Sequence, residues 1–427
     1  MIDLTLPPAR PVALKGFWHL MATQFQGAFS DNALRWLVTL LVLEMEFSQE
    51  EREHLVAAAG AVFAIPFILF SMFGGWLADR FSKRHVMISV KVAEIGIMIF
   101  ATVALARGQV SWQMVAICLM GVHSAIFGPS KYGVLPELLP PGRLSWGNGI
   151  IEMLTFMAII LGMLLAGWLA DTFHEKQFYS GLVLIGLAAA GFFASLGITR
   201  VPAANPAKKL AWNFPKAFWR EMAEIHADRD LWRANWGNAG FFFIAALVQT
   251  NLLLYAKEVF HLGSPETAGL LAALCLGVGS GSVLAGRLSR GRIEYGLVPV
   301  GAGLLAVMGV VLGWPEIGRG AFTAALACLG VGAGLFIVPV AAVLQHRPPP
   351  EKKGGVQGAA GLLSWIGITL AFLTQSLLGG VLHFTSGQVF WFCALAAAAA
   401  GVYVATTRPR ALPEMIARWT RPTTQTE

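Results

Sequence analysis

The stretch GGWLADRFSKR, residues 74–84, places two glycines, an aspartate and three basic residues directly behind the apolar run LVAAAGAVFAIPFILFSMF, residues 55–73. As a helix, such a run is long enough to cross a hydrocarbon core about 30 Å thick, and the basic residues behind it mark the end that stays in the cytoplasm. A weaker copy, AGRLSRGRIEY at 285–295, lies behind another apolar run about half a chain further on. IFGPSKYGVLPEL (126–138) returns at nearly the same offset as FIVPVAAVLQHRP (336–348), so that Pro129 falls on Pro339, 210 residues on, and Gly75 on Gly286, 211 residues on. The 427 residues therefore divide into two similar halves.

Working outward, the chain is 56% hydrophobic and 13% charged, with a mean hydropathy of +0.64, a balance that excludes an ordinary soluble domain. Apolar runs cover 17–44, 54–78, 86–106, 111–130, 146–170, 178–199, 234–256, 266–287, 296–313, 320–343, 356–382 and 387–406. They are long and unbroken, whereas a membrane barrel would show short alternating segments. The expected fold is an all-α membrane protein of twelve transmembrane helices in two six-helix halves. Residues 1–199 form the first half, 200–233 a cytoplasmic linker, 234–406 the second half and 407–427 a cytoplasmic tail. In the linker, Phe218, Met222 and Ile225 share a helical face with Trp219 alongside, which predicts an amphipathic helix on the inner membrane surface.

Most of the 31 lysines and arginines fall on one side if both termini are cytoplasmic. That topology accounts for the net charge of +7, so no nucleic-acid partner is read into it. MIDLTLPPARP lacks the apolar core and small-residue cleavage site of a secretory signal. Cys118, Cys275, Cys328 and Cys393 lie singly in different runs without metal-ligand spacing, and neither metal nor cofactor is expected.

Six plus six helices and a repeated signature resemble the major facilitator superfamily, whose halves rock around a site near the bilayer midplane. Gly75, Asp79, Arg80, Lys83 and Arg84 match that family's loop between its second and third helices. The resemblance implies a gate in which the Asp79 carboxylate meets the unpaired amides at the start of the eleventh span, near Val356. Within the superfamily, AFSDNAL (28–34), GPSKYGVLPEL (128–138) and NGIIEMLTFMAIILG (148–162) are similar to the lysophospholipid transporter family. VQTNLLLYAKE (248–258) and LQHRPPPEKKGGVQGAAGLLSWIG (344–367) resemble the permease halves of transporter–acyltransferase fusions. The implied activity is movement of lysophospholipids from the outer to the inner leaflet of a bacterial inner membrane, for re-acylation. No H-x-x-x-x-D acyltransferase motif occurs in the chain, so that step would fall to a separate acyltransferase.

The polar residues support a head-group site on their own terms. Asp31 lies about 20 Å along the first span and Arg35 one turn beyond it, where an isolated charge costs at least ~2.5 kcal/mol. Such groups must pair or line a wet cavity. Lys91 and Glu94 are three residues apart, and Asn148 and Glu152 four apart, so each pair shares a helix face. A salt bridge that merely orients helices is the competing reading for Lys91 with Glu94. Arg35, Lys91 and Lys131 suit a phosphate, and Asp31, Glu94 and Glu152 an amine. Asn32, Asn148 and Gln249 add hydrogen-bonding groups, and the segments FWHL, GNAGFFFIAAL and SWIG suit an acyl chain. His123 has no partner in sequence and reads as a packing residue. The alternative function is proton-coupled export of amphipathic drugs through Asp31 or Glu152. A lipid enzyme is disfavoured because no nucleophile, base and orienting group come together in the sequence.

Overall fold

Apolar runs separated by short polar turns give fourteen α-helices in the computed structural model, which describes residues 14–174 and 176–420. The reading of MIDLTLPPARP and the last seven residues of the tail lie outside the described residues. The helices of the first half are α1 (Leu14–Glu44), α2 (Gln49–Arg80), α3 (Lys83–Ala106), α4 (Val110–Leu138), α5 (Leu144–Thr172) and α6 (Phe178–Leu196). Then come α7 (Phe214–Ala227), α8 (Arg229–Glu258), α9 (Ser264–Leu288), α10 (Leu297–Leu312), α11 (Arg319–His346), α12 (Lys353–Gln375), α13 (Ser386–Thr407) and α14 (Ala411–Thr420). Among the described residues, ten helices are long and apolar enough to cross a membrane. The 16-residue apolar α10 and the 31-residue α1, whose apolar run is interrupted by Asp31, Asn32 and Arg35, match the other two expected spans.

Local signals set the ends. Ser48 and Glu51 form a reciprocal capping box at the start of α2, and Thr385 and Gln388 do the same for α13. Helix α4 departs from expectation, because GPSKYGVLPEL continues the helix to Leu138 with Pro129 and Pro136 inside it. Each proline removes one backbone donor, a loss that a packed membrane helix tolerates. Lys131 consequently lies on a helix and not in a loop. Helix α12 ends in a π-helical turn, Ser376–Val381.

The chain forms two compact units. One comprises residues 1–147, 161–222 and 345–359; the other comprises 148–160, 223–344 and 360–427. In the first, α2 packs along α4, and α3 and α1 pack against α6 and α4. Its core includes Leu34, Leu37, Met98, Ile117 and Leu184, all nearly or fully out of solvent. In the second, α13 packs against α10 and α8. Helices α9 and α11 meet backbone to backbone at Gly277, Gly281, Gly330 and Gly334, where an added Cβ would lie 2.2–2.4 Å from the other helix. This is how glycine lets apolar helices attract one another when the surroundings are as apolar as their side chains.

Helix α7 occupies Phe214–Ala227 of the linker. Met222 and Ile225 are buried within the protein, whereas Trp219 remains 69% exposed.

Candidate functional site

Two polar clusters stand out in the first unit, one along α1 and one at the end of α2. Along α1, Gln26 faces Lys91 and Glu94 of α3. The Lys91 ammonium donates to Glu94 Oε2 at 2.6 Å and to Gln26 Oε1 at 2.7 Å, while Gln26 Nε2 donates to Glu94 Oε1 at 2.9 Å and Ser30 Oγ at 2.7 Å. Room for this closed ring comes from Gly27 and Gly191, since a Cβ at either would strike the Lys91 ammonium or the Gln26 amide. Lys91 and Glu94 are both fully buried, and their charges are satisfied by each other. That arrangement fits the helix-orienting reading of the pair.

His123 is not alone, as the sequence suggested. Its Nε2 lies 3.1 Å from Glu94 Oε2, and its Nδ1 lies 3.3 Å from Ser124 Oγ. Ser124 in turn donates to Asp31 Oδ2 at 2.5 Å. Asp31 Oδ1 is shielded from solvent and has no hydrogen-bond partner among the described residues. A buried acceptor left this way is costly unless something else meets it. Arg35 does not pair with Asp31; it donates to Asn32 Oδ1 at 3.0 Å and lies 5.4 Å from the Phe63 ring centroid and 5.8 Å from that of Trp36. Asn32 also donates to Ala28 O, so its side chain is engaged within α1.

The other candidates are more dispersed. Lys131 is half-buried, with its ammonium 4.3 Å from the Tyr132 ring centroid. Asn148 and Glu152, both buried on α5, belong to the second unit, as does Gln249. Gln249 lines a cavity of about 260 Å³ in that unit. The walls are otherwise almost wholly apolar, with Phe156, Trp236, Phe241, Phe243, Ile244 and Phe336 the largest. Four of these come from α8, three of them from the aromatic segment GNAGFFFIAAL. Asn238 and Asn251 instead bond across helices, to Ser364 Oγ and Ser386 O.

At the end of α2, Asp79 is fully buried. Its Oδ1 accepts from Gly354 N at 2.6 Å and its Oδ2 from Gly355 N at 2.8 Å, two amides in the first turn of α12, the eleventh span. These amides have no acceptor within their own helix, and the helix dipole favours an anion there. Gly75, one turn before Asp79, makes the approach possible: a Cβ on it would sit 2.5 Å from Gly354 O. Oδ2 also accepts from Lys208 Nζ at 2.8 Å. Lys83, fully buried, donates to Glu137 at 2.6 Å, and Arg80 donates to Lys208 O at 2.7 Å. Arg84 donates to Ile198 O and Leu196 O, satisfying carbonyls at the end of α6. Gln26, Ser124 and Lys208 were missed from sequence; only the proximity of Gln26 to Asp31 in one helix hinted at any of them.

The fold and these clusters define a multi-pass membrane transporter, and the chain belongs to the Major Facilitator Superfamily, whose model matches residues 24–372. It is not an enzyme. Among particular proteins, it is 29% identical to the lysophospholipid transporter LplT of Citrobacter koseri, over 78% of this chain and 80% of that one. It is 30% identical to LplT of Escherichia coli O157:H7, over 78% and 81% of the two chains. In fold it is similar to the human organic anion transporter MFSD10, with a TM-score of 0.79 at 12% identity over 92% of this chain and all of that one. The E. coli fucose:proton symporter FucP gives a TM-score of 0.72 at 12% identity, over 92% and 99%.

Proposed function

We propose that this protein moves lysophospholipids from the outer to the inner leaflet of a bacterial inner membrane by alternating access, for re-acylation by a separate acyltransferase. The observation that carries the reading is the apolar, aromatic-walled cavity beside α8, in a chain whose relatives at 29–30% identity are named lysophospholipid transporters. A single acyl chain gains little on leaving lipid for such a cavity, because both are equally apolar. Discrimination therefore rests on the head group. The unpartnered oxygen of Asp31 suits an ammonium, and Arg35 suits a phosphate, with Asn32, Lys131, Asn148, Glu152 and Gln249 as further polar groups. Lys91 and Glu94 serve this site by fixing α3 against α1. Gly75, Asp79, Arg80, Lys83 and Arg84 form the cytoplasmic gate, closed when the Asp79 carboxylate holds the first turn of α12.

Liposomes containing the purified protein and a labelled lysophosphatidylethanolamine test the proposal. Protein-dependent leaflet exchange, competed by unlabelled lysolipid, is expected; its absence would overturn the reading. The succession Glu94, His123, Ser124, Asp31 favours one second reading, proton-coupled export of amphipathic cations. That reading requires transport driven by a pH gradient and indifferent to the phosphate.

A further inference from the structure

We propose that the linker between the two halves is a working part of the gate, with Lys208 as a positioning residue that holds the Asp79 carboxylate against the first turn of α12. The inference rests on the gate reading of Asp79. Residues 201–208 are fastened along the end of α2 by contacts that do not involve the Lys208 ammonium. Asn205 N donates to Asp79 O at 2.8 Å, Ser82 Oγ donates to Val201 O at 2.6 Å, and Lys208 O accepts from Trp76 Nε1 at 3.1 Å and from Arg80 at 2.7 Å. The side chain of Lys208 is therefore delivered to the carboxylate already ordered, and little rotamer freedom remains to be lost there.

Its ammonium reaches two carboxylates, Asp79 Oδ2 at 2.8 Å and Glu221 Oε1 at 3.3 Å, both on nearly or fully buried side chains. Remove it, and two acidic groups share one niche without the cation that now bridges them. Asp79 would then turn from Glu221 and lose its alignment with the amides of Gly354 and Gly355. The linker thus does more than join the halves: it supplies the counter-charge that lets a fully buried carboxylate grip a helix end.

Hydrogen–deuterium exchange of the peptide containing Gly354 and Gly355 reads the grip directly, since these first-turn amides lack an acceptor within α12. In the full-length protein in lipid nanodiscs, Lys208→Met is expected to raise their exchange about tenfold. Lys208→Arg should restore protection, and adding Glu221→Gln to Lys208→Met should restore part of it by relieving the repulsion. In liposomes the Met variant should alter the maximal rate of leaflet exchange and leave the lysolipid concentration dependence unchanged. If Asp79→Asn deprotects the two amides and Lys208→Met does not, the linker has no part in the gate although the gate itself stands. If neither substitution deprotects them, the gate reading fails as well.

Discussion

Asp31 is the residue on which the proposed recognition turns, because one of its oxygens is held by Ser124 and the other is left unmatched. If that oxygen meets the amine of a head group, Asp31→Asn should remove a charge-assisted hydrogen bond of about 1.5 to 3 kcal/mol. Uptake of lysophosphatidylethanolamine should then fall roughly tenfold or more, with lysophosphatidylglycerol much less affected. Arg35 makes its direct contacts with Asn32 and two aromatic rings, so the same substitution breaks no hydrogen-bonded ion pair at Arg35. An equal loss for both lipids, measured per amount of folded protein, would count against a head-group role. Lys208 offers a second check at this scale. Burial works against its charge, but the Asp79 and Glu221 carboxylates outweigh burial and raise its pKa above the ordinary 10.5. A raised lysine pKa gives stability that is fully present below 10.5 and lost only as pH climbs through the higher folded value. The ion pair should therefore be unaffected between pH 6 and 9. Acylation of lysines followed by mass spectrometry should find Lys208 much less reactive at pH 8 to 9 than its exposed neighbour Lys209, with Asp79→Asn narrowing the gap.

Among the elements, α2 and the first turn of α12 depend on the absence of a side chain at Gly75. A valine there would push into Gly354 O and the Cα of Gly358, both backbone atoms with nowhere to yield. Gly75→Val should weaken the α2–α12 contact by more than the 1–3 kcal/mol of ordinary overpacking. Cysteine pairs placed across the two helix ends should cross-link far less in that variant than in the parent. The second half fastens its corresponding loop differently. Where the repeat places Lys83 in the first half, the second has Glu294, which binds Arg418 of α14 through both carboxylate oxygens at 2.7 Å. Glu294 is nearly buried, so Arg418→Ala leaves it unmatched and should cost about 1–3 kcal/mol. The lowered thermal midpoint of the purified variant measures that cost. Without α14 the effect should be at least as large.

At the scale of the whole molecule, the proposed function divides its labour between the polar cluster around Asp31 in the first unit and the apolar cavity in the second. Gly240 lines that cavity and has no atom within 4 Å of where its Cβ would be. Gly240→Leu should fold normally, with α8 gaining up to about 0.8–1.0 kcal/mol in helix propensity. The added side chain would occupy the space assigned to the acyl chain. Leaflet exchange of long-chain lysolipids should therefore fall several-fold while short-chain analogues are spared; equal transport across chain lengths would remove the cavity from the pathway. A diacyl lipid should compete poorly with the wild type, because glycine-closed helix contacts such as α9 with α11 resist the wider opening that two chains require.

The sequence by itself determined that this is a helical membrane protein with twelve spans in two related halves. Run length, charge placement and the repeat of GGWLADRFSKR are properties of a chain read in one dimension. The encounter between Asp79 and the eleventh span was implied only by the resemblance of this stretch to a family signature, and the structure places the carboxylate on Gly354 N and Gly355 N. Tertiary structure alone decided which polar groups are already matched. Ser124 reaches Asp31 across 93 residues and Lys208 reaches Asp79 across 129, while Gln26 closes a ring around a lysine and glutamate that sequence had assigned to substrate. The physical reason lies in the solvent. In helices apolar on nearly every side, hydropathy carries little information about rotation, and rotation is what selects the partners of a buried charge.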